Sequence, residues 1–119
     1  MAGTIVITGA NSSLAIPAVQ HLLTRYPDYD AVLTVRNTSD TDVNTKKLRD
    51  TISKYPDAKA SIRQLDLSDL SAVHGFASTI AAEIAGGTLP PFASIVCNAY
   101  YWNLAGDVEV TGDGYEKTF

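Results

Sequence analysis

A single cysteine and two histidines are all that the 119 residues offer for disulfides or soft metal sites. Cys97 therefore has no internal partner, which fits a reducing compartment. His21 and His74 stand far from it and from each other in the sequence, so no metal site is expected. No apolar run approaches the roughly 18 residues that span a bilayer. The opening MAGTIVITGA has neither a basic flank nor a cleavage site of the secretory kind, so the expected location is the cytoplasm. Basic charge is scarce as well: 9 Lys and Arg against 13 Asp and Glu leave a formal net charge of −4. That balance excludes the basic footprint of a nucleic-acid binder or a membrane-surface helix. The one basic cluster, Lys46, Lys47 and Arg49, reads as a solvated helix face. No internal repeat, low-complexity tract or linker interrupts the chain, and one domain over residues 1–119 is expected.

What is present is an ordinary globular balance, 45% hydrophobic and 18% charged. Short runs rich in β-branched residues alternate with longer stretches of helical period. This alternation is the mark of βαβ units around a parallel sheet. Four strands are predicted, over Thr4–Thr8, Ala31–Arg36, Ala60–Leu65 and Phe92–Cys97. A first helix is predicted from Ser13 to Tyr26, with Ile16, Val19, Leu23 and Tyr26 on one face and Pro27 as its stop. The second runs from Val43 to Tyr55, with Leu48, Ile52 and Tyr55 on its apolar stripe. A third carries Leu70, Val73, Ala77, Ile80 and Ile84 as a core stripe, capped by Ser68 and ended by Gly86–Gly87. Right-handed crossovers then give strand order 3-2-1-4, with the first two helices on one face and the third on the other. Cys97 is expected to be a small buried hydrophobe, and the two histidines polar-face helix residues.

Four segments at consecutive strand ends carry chemistry. The first strand runs into TGANSSLA, Thr8 to Ala15, and then a helix. Free backbone N–H groups and the positive end of the helix dipole meet at such a junction and suit a pyrophosphate. Gly9 permits the tight turn there, and Asn11, Ser12, Ser13 and Leu14 form the rest of the loop. The second strand ends in Arg36, whose guanidinium can clamp a phosphate by bidentate, charge-assisted bonds. The third ends in Asp66 and Leu67, where Asp66 or Ser68 also reads as a helix cap. The fourth ends in Asn98 and Ala99, followed by the aromatic run Tyr100, Tyr101 and Trp102, which can line a pocket or cover a hydrophobic edge.

Together these motifs resemble the short-chain dehydrogenase/reductase family. TGANSSLA is similar to its TGxxxGxG fingerprint, with Ser13 and Ala15 where the second and third glycines stand, and CNAY is similar to its NAG motif, with Tyr100 in place of glycine. The flavour is that of fungal reductases related to WW-domain oxidoreductases and retinol dehydrogenases. The resemblance implies a nicotinamide dinucleotide, with Arg36 selecting NADP(H). It also implies that Asp66 and Leu67 meet the adenine, that Asn98 and Ala99 lie beside the cofactor ribose, and that Tyr100, Tyr101 and Trp102 face the substrate. The family's catalytic serine, tyrosine, lysine and central-helix asparagine are not found, so the chain reads as a sheet truncated after its fourth strand, with no catalytic residue of its own. Tyr55 and Lys59 match YxxxK only in letters, because Pro56 breaks the helix between them. Two other readings stand beside a reductase segment: a non-redox isomerase or cyclase working as a homo-oligomer, as in fungal secondary metabolism, and a non-catalytic binding or regulatory module. A homodimer is expected around Phe92–Cys97 and Tyr100–Trp102, with exchange of Thr111–Phe119 as one route.

Overall fold

The computed structural model of the protein describes residues 2–100 and 109–115. Strands and helices alternate as β1 (Gly3–Ile7), α1 (Ala15–Arg25), β2 (Tyr29–Val35), α2 (Val43–Ser53), β3 (Lys59–Gln64), α3 (Leu70–Ala85) and β4 (Phe92–Val96). All three strand pairings are parallel, and the spatial order is β3-β2-β1-β4. This is the Rossmann-type arrangement that the alternation predicts.

The strand period of two divides the sheet between two cores. Ile7, Ala31, Leu33 and Val35 pack with Val19 and Leu23 of α1 and Leu48 of α2. Their neighbours in sequence, Val6 and Val32, point the other way and meet Ile80 of α3 and Leu89. The first two helices therefore cover one face and α3 covers the other.

Several helix details differ from the sequence expectation. α1 begins at Ala15 and not at Ser13, because the Ser12 hydroxyl accepts the Ala15 N–H at 3.0 Å and makes residues 12–14 a turn. Tyr26 is the C-cap of α1, with φ −135°, so it has left the helical path and stands 53% exposed, edge-on to Tyr29. The cap of α3 is Asp69, which accepts from the Ala72 N–H; the Ser68 hydroxyl is committed to Asp66. Only the second half of the α3 stripe is core. Ile80 is buried, and Phe76 and Ile84 pack beside it, whereas Ala77 and Leu70 are exposed. Cys97 is exposed as well, for it follows a strand whose five residues are all exposed. His21 and His74 are exposed, as expected.

Candidate nucleotide-binding site

From β1 the chain steps outward in one direction through β2 and β3, then returns to place β4 on the other side of β1. At such a switch point the loops after neighbouring strands part and leave a crevice at their carboxyl ends. Here the loop after β1 and the segment after β4 are fastened together. Thr8 donates its N–H to the Val96 carbonyl at 3.1 Å, and its hydroxyl accepts the Ala99 N–H at 3.1 Å. The Asn98 amide donates to the Gly9 carbonyl at 3.0 Å and to the Ser12 hydroxyl at 3.1 Å. Gly9 has φ +61°, and a Cβ there would lie 2.9 Å from the Ala99 Cα. Gly9, Ser12, Asn98 and Ala99, predicted separately from two motifs, thus form one cluster.

The same bonds shape what the loop offers. Among the described residues, the N–H groups of Ser13 and Leu14 have no protein acceptor, and both residues are exposed at the start of α1. Free amides at a helix N-terminus are the donor set that suits a pyrophosphate. No non-glycine described residue has a positive φ, so Ser13 and Tyr100 take ordinary backbone where the family motifs carry glycine. Tyr100 is 79% exposed, whereas Tyr101 and Trp102 lie outside the described residues.

Arg36 follows β2 with its side chain exposed, and among the described residues its guanidinium has no hydrogen bond or ion pair. The nearby basic residues differ. Arg49 is held by Asp40 at 2.9 Å and by the Thr38 carbonyl at 2.7 Å, and Lys46 by Asp50 at 3.2 Å. These exposed pairs make α2 the solvated face that its charge pattern predicts. Asp66, just beyond β3, accepts from both the N–H (3.0 Å) and the hydroxyl (2.7 Å) of Ser68, and Leu67 is 43% exposed beside it.

The Asn11 amide donates one N–H to Thr45 of α2 at 3.1 Å, which ties the loop to that helix. Thr8, which opens TGANSSLA, and Thr45 near the start of α2 are both buried, small hydroxyls placed where the pattern calls for an apolar residue.

No family model matches the chain. Among curated proteins, a short-chain dehydrogenase of Talaromyces variabilis, iccH, is 31% identical over 122 residues, which cover 98% of this chain and 32% of that protein. Among solved structures, an uncharacterized protein of Mycobacterium paratuberculosis is 28% identical, with a TM-score of 0.66, over 98% of this chain and 35% of that one. Over nearly its whole length the chain is thus similar to a segment of a short-chain dehydrogenase. It spans about a third of the length of these relatives. YwfH, an NADPH-dependent reductase of bacilysin biosynthesis, shares the fold at 18% identity and a TM-score of 0.62, over 96% of this chain and 42% of that one.

These reductase relatives imply a nicotinamide dinucleotide as the cofactor class, and the residues at the switch point fit one. Elsewhere among the described residues no comparable constellation occurs. Tyr55 lies past the end of α2 and Lys59 opens β3, so the literal YxxxK is not on one helix. Polar side chains of α1, Thr24 first and then Gln20, hold the Tyr55 hydroxyl below its ordinary pKa, so it lies beside α1. A cavity of about 220 Å³, lined by Asp30, Lys59, Ser61, Arg63, Glu83 and Leu89, sits at the amino ends of β2 and β3, opposite the crevice. Among the described residues, no group of three or more metal-ligating side chains occurs, and no helix is long and apolar enough to cross a membrane.

Proposed function

We propose that the chain is the NADP(H)-binding part of a short-chain dehydrogenase/reductase whose whole-protein activity is hydride transfer on a carbonyl/alcohol pair. The observation that carries this reading is the set of unpartnered donors at the carboxyl ends of β1 and β2, the Ser13 and Leu14 N–H groups and the Arg36 guanidinium, beside the topological switch point. Ser13 and Leu14 hold the pyrophosphate, supported by Gly9 and Ser12, while Asn11 braces the loop from behind. Arg36 takes the 2′-phosphate, Asp66 and Leu67 the adenine, and Asn98 and Ala99 the ribose on the nicotinamide side. Tyr100, with Tyr101 and Trp102, stands toward the substrate. The bound dinucleotide supplies the hydride. No residue of this chain is assigned the proton transfer. The NADPH dependence in the name of YwfH points the same way as Arg36.

A second copy is the proposed partner. Among the described residues β4 pairs only with β1, all five of its residues are exposed, and Phe92, Ile95 and Val96 are each about half exposed. A homodimer through Phe92–Cys97 and Tyr100–Trp102 would cover them, in the cytoplasm that the lone cysteine suits.

Fluorescence titration of the purified protein with NADPH and with NADH tests the reading. Tighter binding of NADPH is expected. Equal affinities would remove the argument from Arg36, and no binding of either would leave the non-catalytic module.

A further inference from the structure

The Asn11 amide donates to the Thr45 hydroxyl at 3.1 Å, and that hydroxyl donates to the Asn37 carbonyl at 2.6 Å. A hydroxyl has one proton and can accept through its lone pairs, so Thr45 is used in both senses. It is also fully buried, near the start of α2, where Asp42 caps the helix by accepting from the Asn44 and Thr45 N–H groups. The relay joins three segments: the loop after β1, the helix α2, and the residue that follows Arg36. On its other side, the Val35 carbonyl accepts the Leu65 N–H at 2.9 Å, and the Arg36 carbonyl itself accepts from the Gln64 amide of β3 at 3.3 Å. The main chain is thus tied on both sides of Arg36 while the guanidinium itself stays free.

We propose that Thr45 is a positioning residue that sets the spacing between the loop at the start of α1 and the Arg36 segment. A ligand with a pyrophosphate and a 2′-phosphate on one adenosine is then gripped at both ends at once. This rests on the crevice being an NADP(H) site. A ligand anchored at two points feels any change in their separation, whereas a ligand anchored at one point follows its own anchor. Thr45 therefore acts on the discrimination between ligands more than on binding as such. Valine at this position would keep the shape and leave both the Asn11 amide and the Asn37 carbonyl without their partner.

Calorimetric titration of the unmodified protein, Thr45→Val and Thr45→Ser separates these effects, with NADP⁺ (both groups), NAD⁺ (pyrophosphate alone) and 2′-AMP (2′-phosphate alone) as probes. Thr45→Val is expected to weaken NADP⁺ by about tenfold, the scale of one or two lost hydrogen bonds, and the single-anchor ligands by less than about threefold. Thr45→Ser keeps the hydroxyl and should restore NADP⁺ binding. Equal losses on all three ligands, no loss on any, or failure of serine to restore the pattern would overturn the proposal. If Thr45→Val does not fold by circular dichroism, Asn11→Ala cuts the relay at its half-buried loop end and should show the same selective loss; unchanged ratios there would overturn it equally. An unmodified protein that binds none of the probes would defeat the NADP(H) reading and the relay with it. Binding with unshifted ratios in the variants would defeat the relay alone.

Discussion

Gly9→Ala tests whether the contact between the β1 loop and the β4 segment holds the site together. Glycine is required at this position for two separate reasons. Its φ of +61° lies in the left-handed region, which costs an L-residue about 1–2 kcal/mol. A Cβ there would also stand 2.9 Å from the Ala99 Cα and 3.0 Å from the Ala99 Cβ. The nearer of these neighbours is backbone, so the segment must move, and overpacking of this kind costs about 1–3 kcal/mol. The sum, roughly 2–5 kcal/mol, is a large share of the 5–15 kcal/mol that stabilises an ordinary domain. For a domain of this size it should lower the melting temperature by roughly 10 °C or more. Moving Ala99 also stretches the Asn98 bonds to Gly9 and Ser12, so nucleotide affinity should fall in whatever fraction remains folded. Gly75→Ala serves as the control. Gly75 lies inside α3 with open space around a new Cβ, and alanine should stabilise that helix by about 0.5–1 kcal/mol. Differential scanning fluorimetry with and without NADP⁺ reads both effects. A Gly9→Ala protein melting within about 2 °C of the unmodified one would refute the reasoning, since even the backbone cost alone predicts more.

Arg36→Ala should narrow the preference for NADPH over NADH by about tenfold or more, because a hydrogen bond to a charged group contributes about 1.5–3 kcal/mol; an unchanged ratio from paired titrations would place the discrimination elsewhere. Arg63, bonded bidentately to Glu83, holds that carboxyl below its ordinary pKa of 4.5. The pair therefore stabilises the fold above the ordinary carboxylate range and loses that contribution as the pH falls through the lowered value. Glu83→Gln should lower stability at neutral pH and flatten the acid limb of a stability-against-pH curve, and an acid limb of unchanged steepness would contradict the assignment. Light scattering at micromolar concentration should show a mass above 12.7 kDa, whereas a stable, monodisperse mass at that value would remove the homodimer.

The strands were legible because β-branched runs leave few alternatives. Each predicted strand lies within two residues of its observed bounds, and the parallel order follows from the alternation joined with right-handed crossovers. Caps were less legible. Ser68 and Asp69 are both good N-caps, and what separates them is that Asp66 already engages the Ser68 hydroxyl, a contact between neighbours that pattern does not weigh. The period of 3.6 placed Tyr26 and Ala77 inward, but the first lies past the point where α1 unwinds, and Phe76 fills the place given to the second. Residue type alone makes Cys97 a buried hydrophobe; its exposure follows from a strand that among the described residues is exposed along its whole length, which is a property of the sheet. At the site, the motifs located Gly9, Ser12, Asn98 and Ala99 one by one, but the bonds that join them span more than 80 residues of sequence. The bond from the Asn11 amide to Thr45 on α2 is likewise not legible in the loop's own residues.

Amide hydrogen exchange with and without saturating NADP⁺ tests most directly whether the switch-point crevice holds the dinucleotide. Slowed exchange is expected at the free N–H groups of Ser13 and Leu14 and in the segment Arg36–Asn37, with little change at the amino ends of β2 and β3. Protection centred on Asp30, Lys59 and Ala60 around the opposite cavity, or no protection at all, would contradict it.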